Sequence, residues 1–144
     1  MIGIIVTGHG NFGSGLTSSL QLIVGEQKNH YAIDFVEGMT TEQLAMKYEE
    51  AFEAMKDLDG IVVLSDLVGG SPFKTAVICG QDKKNIEVIG GTNLPVLLEA
   101  AMSKEFTDDV VLFTQQLVNT GKEQVMRFET SSLSTQQNTS EDGI

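Results

Sequence analysis

Residues 1–13 read MIGIIVTGHGNFG, and two features of that stretch decide the fold. Met1 to Val6 is a continuous apolar run rich in β-branched side chains, the form of a strand covered on both faces, as in a parallel sheet. It leads into Gly8-His9-Gly10-Asn11-Phe12-Gly13, which fits the G-x-G-x-x-G spacing of a strand-to-helix turn. Beyond the turn Leu16, Leu20, Ile23 and Val24 share one helical face, and Gly25 is placed to end the helix. A strand, a glycine turn and a helix in that order open an α/β protein.

The remaining chain repeats the alternation. Tyr31 to Val36 (YAIDFV) reads as a second strand, and Thr40 with Gln43 has capping-box spacing ahead of Leu44, Tyr48, Phe52 and Met55, a helix to about Asp57. Gly60 to Ser65 (GIVVLS) is a third strand ending at Asp66, and Ser71-Pro72 reads as the N-cap and first-turn proline of a third helix. Ile86 to Ile89 is a fourth strand, with a fourth helix opening near Pro95. A last helix is expected from Thr107, with Asp108 and Asp109 in its first turn, to Gly121, and Glu123 to Phe128 (EQVMRF) as one more short strand. From Thr130 the composition turns polar and pattern-free, so residues 130–144 are expected to be a disordered tail and residues 1–129 the single domain. The expected architecture is a three-layer, open, mostly parallel sheet, order beginning 2-1-3, with helices on both faces.

The totals narrow the function. Nine Lys and Arg against twenty Asp and Glu give a net charge of -11, which repels nucleic acid phosphates and anionic lipid and favours docking to a basic protein. One cysteine, Cys79, permits no internal disulfide and reads as a small core residue, and no Cys/His set has metal-ligand spacing. No segment has the form of a leader or of a membrane span, so a reduced, cytoplasmic protein without membrane insertion is expected.

In a sheet of order 2-1-3 the loop after strand one (Gly8 to Gly13) and the loop after strand three (Asp66 to Ser71) face each other across the crevice where ligands collect. Three readings of that crevice are open. In the first, the loop holds a nucleotide or flavin, with Asp34, twenty-one residues beyond Gly13, as the ribose acid; against it, Asp34 precedes Phe35 and Val36 and so lies inside its strand. In the second, His9 sits between two glycines, Asp66 accepts a hydrogen bond from its Nδ1, Nε2 becomes the nucleophile, and Ser71 with the helix N–H groups receives an anion: the parts of a phosphoryl-transfer site. In the third, His9 only closes a turn. His30, in the setting QKNHYA, reads as an exposed loop residue, and the paired acids Glu49-Glu50 and Asp108-Asp109 as solvated helix charges. The two loops lack the acidic cluster of a magnesium-dependent kinase.

GHG after strand one, IDFVEG at residues 33–38 and SDLVGGSPF at residues 65–73 together resemble the enzyme IIA component of the mannose-type bacterial sugar phosphotransferase system, a likeness that runs from residue 1 to about 128. The resemblance implies a phosphohistidine carrier without metal or cofactor. It would accept a phosphoryl group from HPr on Nε2 of His9 and pass it to a IIB subunit, with membrane IIC and IID components downstream. Asp66 would orient His9, and Gly10, the Gly69-Gly70 turn and Ser71 would surround the phosphate. Members are typically homodimers that exchange a C-terminal strand, for which EQVMRF is the available segment, and this chain reads as a free-standing IIA subunit. Many members carry Ser or Thr directly before the histidine, where this chain has Gly8, with Thr7 one place earlier. A phosphocarrier subunit of a phosphotransferase-dependent dihydroxyacetone kinase is the related alternative. The sugar stays open, since a IIA subunit never touches it.

Overall fold

The computed structural model describes residues 1–130; the expected tail, apart from Thr130, lies outside them. Four strands, β1 (Ile2–His9), β2 (His30–Phe35), β3 (Gly60–Ser65) and β4 (Ile86–Ile89), form one sheet in the order β2-β1-β3-β4, and every pairing is parallel. Helices α1 (Phe12–Val24), α2 (Thr41–Ala54), α3 (Ser71–Gly80), α4 (Leu94–Ser103) and α5 (Val110–Glu123) cover both faces, with a single 3₁₀ turn at Lys104–Phe106. The expected three-layer α/β architecture is what forms.

Alternation along the strands splits the core in two. Ile2, Ile4 and Val6 point to one face with Val62 and Leu64, against Leu20 of α1, Leu97 and Ala100 of α4, and Phe113 and Leu117 of α5. Ile5, Ile33, Ile61 and Val63 point to the other, against Leu44, Tyr48 and Phe52 of α2, Met55 just past its end and Ala76 of α3. Each fully buried Ile, Leu or Val contributes about 1.5–3 kcal/mol. The central strands β1 and β3 are buried almost throughout.

Several boundaries differ from the sequence reading, each for a physical reason. Strand β1 continues past Val6 to His9, because Thr7, Gly8 and His9 keep pairing with Ile33, Asp34 and Phe35 of β2. Helix α3 is capped by Gly70 in an extended conformation, so Ser71 is its first residue and not its cap. Helix α5 starts at Val110 with the Asp109 carboxylate accepting from Leu112 N–H, later than Thr107. It also runs through Gly121, where a Cβ would stand 2.8 Å from Val96 Cγ2. That glycine permits close contact between α5 and α4 and does not end the helix. The EQVMRF segment forms no strand in the single chain: Glu123 is helical, and Val125, Met126 and Phe128 are exposed. The capping box at Thr40 and Gln43 is present as read.

His30 is the clearest reversal. It opens β2 half-buried, with Nε2 2.9 Å from Thr17 Oγ1 on α1 and Nδ1 buried without a hydrogen-bond partner among the described residues. Burial, then the charge of the nearby buried Lys104, push its pKa down to about 4. His30 is a neutral structural side chain rather than a solvated loop residue.

Candidate functional site

The direction of strand addition reverses between β1 and β3, and the carboxyl ends of these two strands bring His9 and Asp66 together. Asp66, one residue past β3, is held by its main-chain carbonyl, which accepts from Gly91 N–H, while the next turn leans on Gly90. Its Oδ2 accepts two hydrogen bonds from the same residue: His9 main-chain N–H at 2.8 Å and the ring Nδ1 at 2.8 Å. A carboxylate can only accept, so Nδ1 carries the proton and Nε2 of the neutral ring carries the lone pair. The His9 side chain is 48% exposed against 16% for Asp66, so the nucleophile faces solvent while its partner is withdrawn.

Partial burial works to raise the Asp66 carboxyl, but the hydrogen bonds from the His9 main chain and ring, the attraction of the ring in its protonated form and the Leu67 main chain outweigh it. The net pKa lies below the ordinary carboxylate value. Asp66 is therefore ionised wherever His9 would act as a nucleophile.

The glycines shape the space around the ring. Gly10 sits at φ +59°, in the left-handed region, and turns the chain directly after His9 while its N–H donates to Phe35 C=O. Gly70 lies against the reactive edge: a Cβ there would stand 2.8 Å from His9 Cε1 and 3.6 Å from Nε2. Gly69, at φ +81°, makes the turn that delivers Gly70 and the N-terminus of α3, with Ser71, to that edge. Helix α3 has no side-chain cap and Pro72 carries no N–H, so the Ser71 and Phe73 N–H groups of its first turn are available to an anion held at Nε2. On the far side Phe35 meets the His9 ring edge-on, with centroids 6.0 Å apart.

All the residues singled out from the sequence, His9, Gly10, Asp66, Gly69, Gly70 and Ser71, thus converge on one end of the sheet. The acid of the cofactor reading does not join them. Asp34 accepts from Ser14 N–H at 2.8 Å and from Ser14 Oγ at 2.5 Å, so it caps α1 and is committed to holding that helix on β2. The nearby departure from the family pattern also has a steric account. A Cβ on Gly8 would stand 2.7 Å from both Asp66 Cγ and Phe12 Cδ1, so Phe12 occupies the space a larger residue would need. Thr7 does not substitute for a hydroxyl at that place, since its Oγ1 is buried against Tyr48.

Sequence reasoning missed two contributions. Leu67 and Val68, 59% and 67% exposed, form an apolar rim beside the Asp66 carboxylate; their signal was the pair of large apolar side chains inside a loop otherwise built of Asp and Gly. Tyr48 was read only as one of four core positions on α2, and periodicity carries no information on where its hydroxyl goes. Among the described residues no group of three or more His, Cys, Asp or Glu is placed to hold a metal, and no helix is long and apolar enough to cross a membrane.

Fold and site together define an open parallel α/β domain that presents a carboxylate-oriented imidazole at its topological switch point. The family model described as PTS system fructose IIA component matches residues 3–115, and the chain belongs to this mannose-type enzyme IIA family of the sugar phosphotransferase system. It is 32% identical over 105 residues to the fructose-specific EIIA component of Bacillus subtilis (strain 168), covering 73% of this chain and 72% of that one. It is 35% identical over 124 residues to the mannose-specific EIIAB component of Escherichia coli (strain K12), of whose length the match spans 38%. The crystal structure of phosphotransferase system component EIIA from Streptococcus agalactiae aligns with a TM-score of 0.82 at 32% identity, over 89% of this chain and 98% of that one.

Proposed function

We propose that this chain is a phosphohistidine carrier, taking a phosphoryl group from phospho-HPr onto His9 Nε2 and delivering it to a IIB subunit that serves sugar uptake through membrane IIC and IID components. The observation that carries the reading is the 2.8 Å contact between His9 Nδ1 and Asp66 Oδ2, which leaves the solvent-facing Nε2 as a lone-pair nucleophile beside the uncapped start of α3. In the transfer step the Nε2–P bond forms as the donor's N–P bond breaks, and the donor imidazole leaves with the bonding pair. His9 keeps its Nδ1 proton, and Asp66 stabilises the positive charge that builds on the ring. The N–H group and hydroxyl of Ser71, with the close approach allowed by Gly70 and the Gly69 and Gly10 turns, would surround the phosphoryl oxygens, while Gly70 N–H stays on Leu67 C=O at 3.1 Å; no metal or cofactor is required.

The relay needs transient partners, and the apolar rim of Leu67 and Val68 suits a small interface with fast release. It would operate in the cytoplasm, where the donor is made. The family match favours a sugar IIB acceptor over the dihydroxyacetone kinase branch. For the homodimer, support comes from the outer edge of β4, which among the described residues pairs only with β3, and from the exposed Val125, Met126 and Phe128, a segment able to add a strand to a second copy.

Incubation with phosphoenolpyruvate, enzyme I and HPr should add one acid-labile, alkali-stable phosphate by intact mass. It should be retained in His30→Gln and absent in His9→Ala. A phosphate that survives His9→Ala would refute the assignment.

A further inference from the structure

The transfer chemistry leaves unused a buried set of polar groups around Tyr48. Tyr48 has no exposed surface, and its hydroxyl lies 2.9 Å from Pro72 C=O and 2.8 Å from Thr7 Oγ1. A carbonyl cannot donate, so Tyr48 donates to Pro72, and the Thr7 hydroxyl must donate to Tyr48. Burial raises the phenol above its ordinary value; the Thr7 hydrogen bond opposes that, and the charges of Cys79 and Asp66 add to it. It stays a donor at any working pH.

The three partners stand on three elements. Thr7 is on β1 two residues before His9, Tyr48 is at the centre of α2, and Pro72 is in the first turn of α3, next to Ser71. Pro72 C=O belongs to the first turn of α3, and Gly70, two residues earlier, lies so close to His9 that a Cβ there would stand 2.8 Å from its Cε1. The first turn of α3 is thus set against the catalytic strand by side-chain hydrogen bonds in the core and not only by apolar packing.

Building on the phosphocarrier reading, we propose that Tyr48 is a positioning residue for phosphoryl transfer, fixing the height of the α3 N-terminus above His9 Nε2 through its bond to Pro72 C=O. It touches no reacting atom. The anion-binding N–H groups must meet the equatorial oxygens as they sit in the transition state, and a shift of a few tenths of an ångström loses alignment without abolishing docking.

The test is rapid-quench transfer from phospho-HPr, with chemical denaturation of each variant. Tyr48→Phe keeps the ring and removes the hydroxyl; the maximal rate should fall about tenfold while half-saturation by phospho-HPr stays within about twofold. Thr7→Val with Tyr48→Phe removes both hydroxyls, so no buried hydroxyl is orphaned, and Pro72 C=O loses the same donor as in the single variant. Stability should recover toward wild type and the rate should not. That double variant also carries the test if Tyr48→Phe alone folds poorly. Thr120→Val, which removes a half-buried hydrogen bond from α5 to Glu99 on α4, should lose stability and keep the wild-type rate. A wild-type rate in Tyr48→Phe, or a rate that recovers with stability in the double variant, overturns the positioning role alone. Failure of the wild-type chain to accept phosphate overturns the carrier reading, and this inference with it.

Discussion

Replacing Asp66 with Asn tests the electrostatic core of the site. The substitution keeps the shape but removes the charge from an oxygen that accepts two hydrogen bonds from His9, both at 2.8 Å. A hydrogen bond to a charged acceptor contributes about 1.5–3 kcal/mol and a neutral one about 0.5–1.5, so the ring contact alone loses about 1–2 kcal/mol. The carboxylate also meets the charge that develops on the imidazole as Nε2 bonds to phosphorus, which brings the loss in the transition state to about 2 kcal/mol, or roughly 30-fold in rate. The assay is single-turnover phosphorylation by phospho-HPr under rapid quench, with circular dichroism to verify the fold. A rate within about threefold of wild type in a folded Asp66→Asn protein would refute the assignment of Asp66 as the orienting partner.

Three further outcomes follow from the geometry. Gly70→Ala places a methyl 2.8 Å from His9 Cε1; its backbone, at φ -71°, accepts alanine without strain, so transfer should slow about 100-fold with little loss of stability. Gly8→Ser should cost about 1–3 kcal/mol in urea melts through its clash with Phe12 and Asp66, and part of that should return in Gly8→Ser with Phe12→Ala, which removes the Cδ1 contact but leaves the residue 12 Cβ and Asp66 Cγ in place; additive losses would contradict the steric account. His30 supplies the pH dependence. Its folded pKa of about 4 lies below the ordinary 6.5, so the unfolded chain binds the proton first, and stability is full above pH 6.5 and falls as pH drops toward 4. After allowance for partial exposure the loss is about 2 kcal/mol, and urea melts of His30→Gln should show a flatter profile in that window. Asp66, whose pKa is depressed, keeps its contribution through this range and loses it only as pH falls through its lowered value.

The fold was legible where the pattern is dictated by burial on both faces. The continuous runs at Ile2 to Val6 and Gly60 to Ser65 read as strands buried on both faces, and the expected order 2-1-3, which sets the glycine turn after each on one crevice, is the order that forms. The site was legible because its residues sit on two short loops whose composition is otherwise hard to explain. What sequence could not convey were contacts set by the third dimension. His30 looked solvated because polar neighbours surround it in sequence, yet the start of β2 turns it toward Thr17 and Lys104. Gly121 looked like a helix stop, but its small size serves contact with Val96. Asp34 matched the spacing of a ribose acid, and only the structure shows its carboxylate on Ser14. The EQVMRF segment read as a short strand, but a strand needs a neighbour, and the described residues of one copy offer it none.

The central claim is that His9 accepts phosphate on Nε2 while Nδ1 stays protonated against Asp66. The most direct measurement is NMR of protein labelled with ¹⁵N at its two histidines, before and after incubation with phosphoenolpyruvate, enzyme I and HPr. The account predicts phosphorus coupling at Nε2 of His9, a protonated Nδ1 and an unchanged His30. Phosphate on Nδ1, on His30 or on neither ring would contradict it.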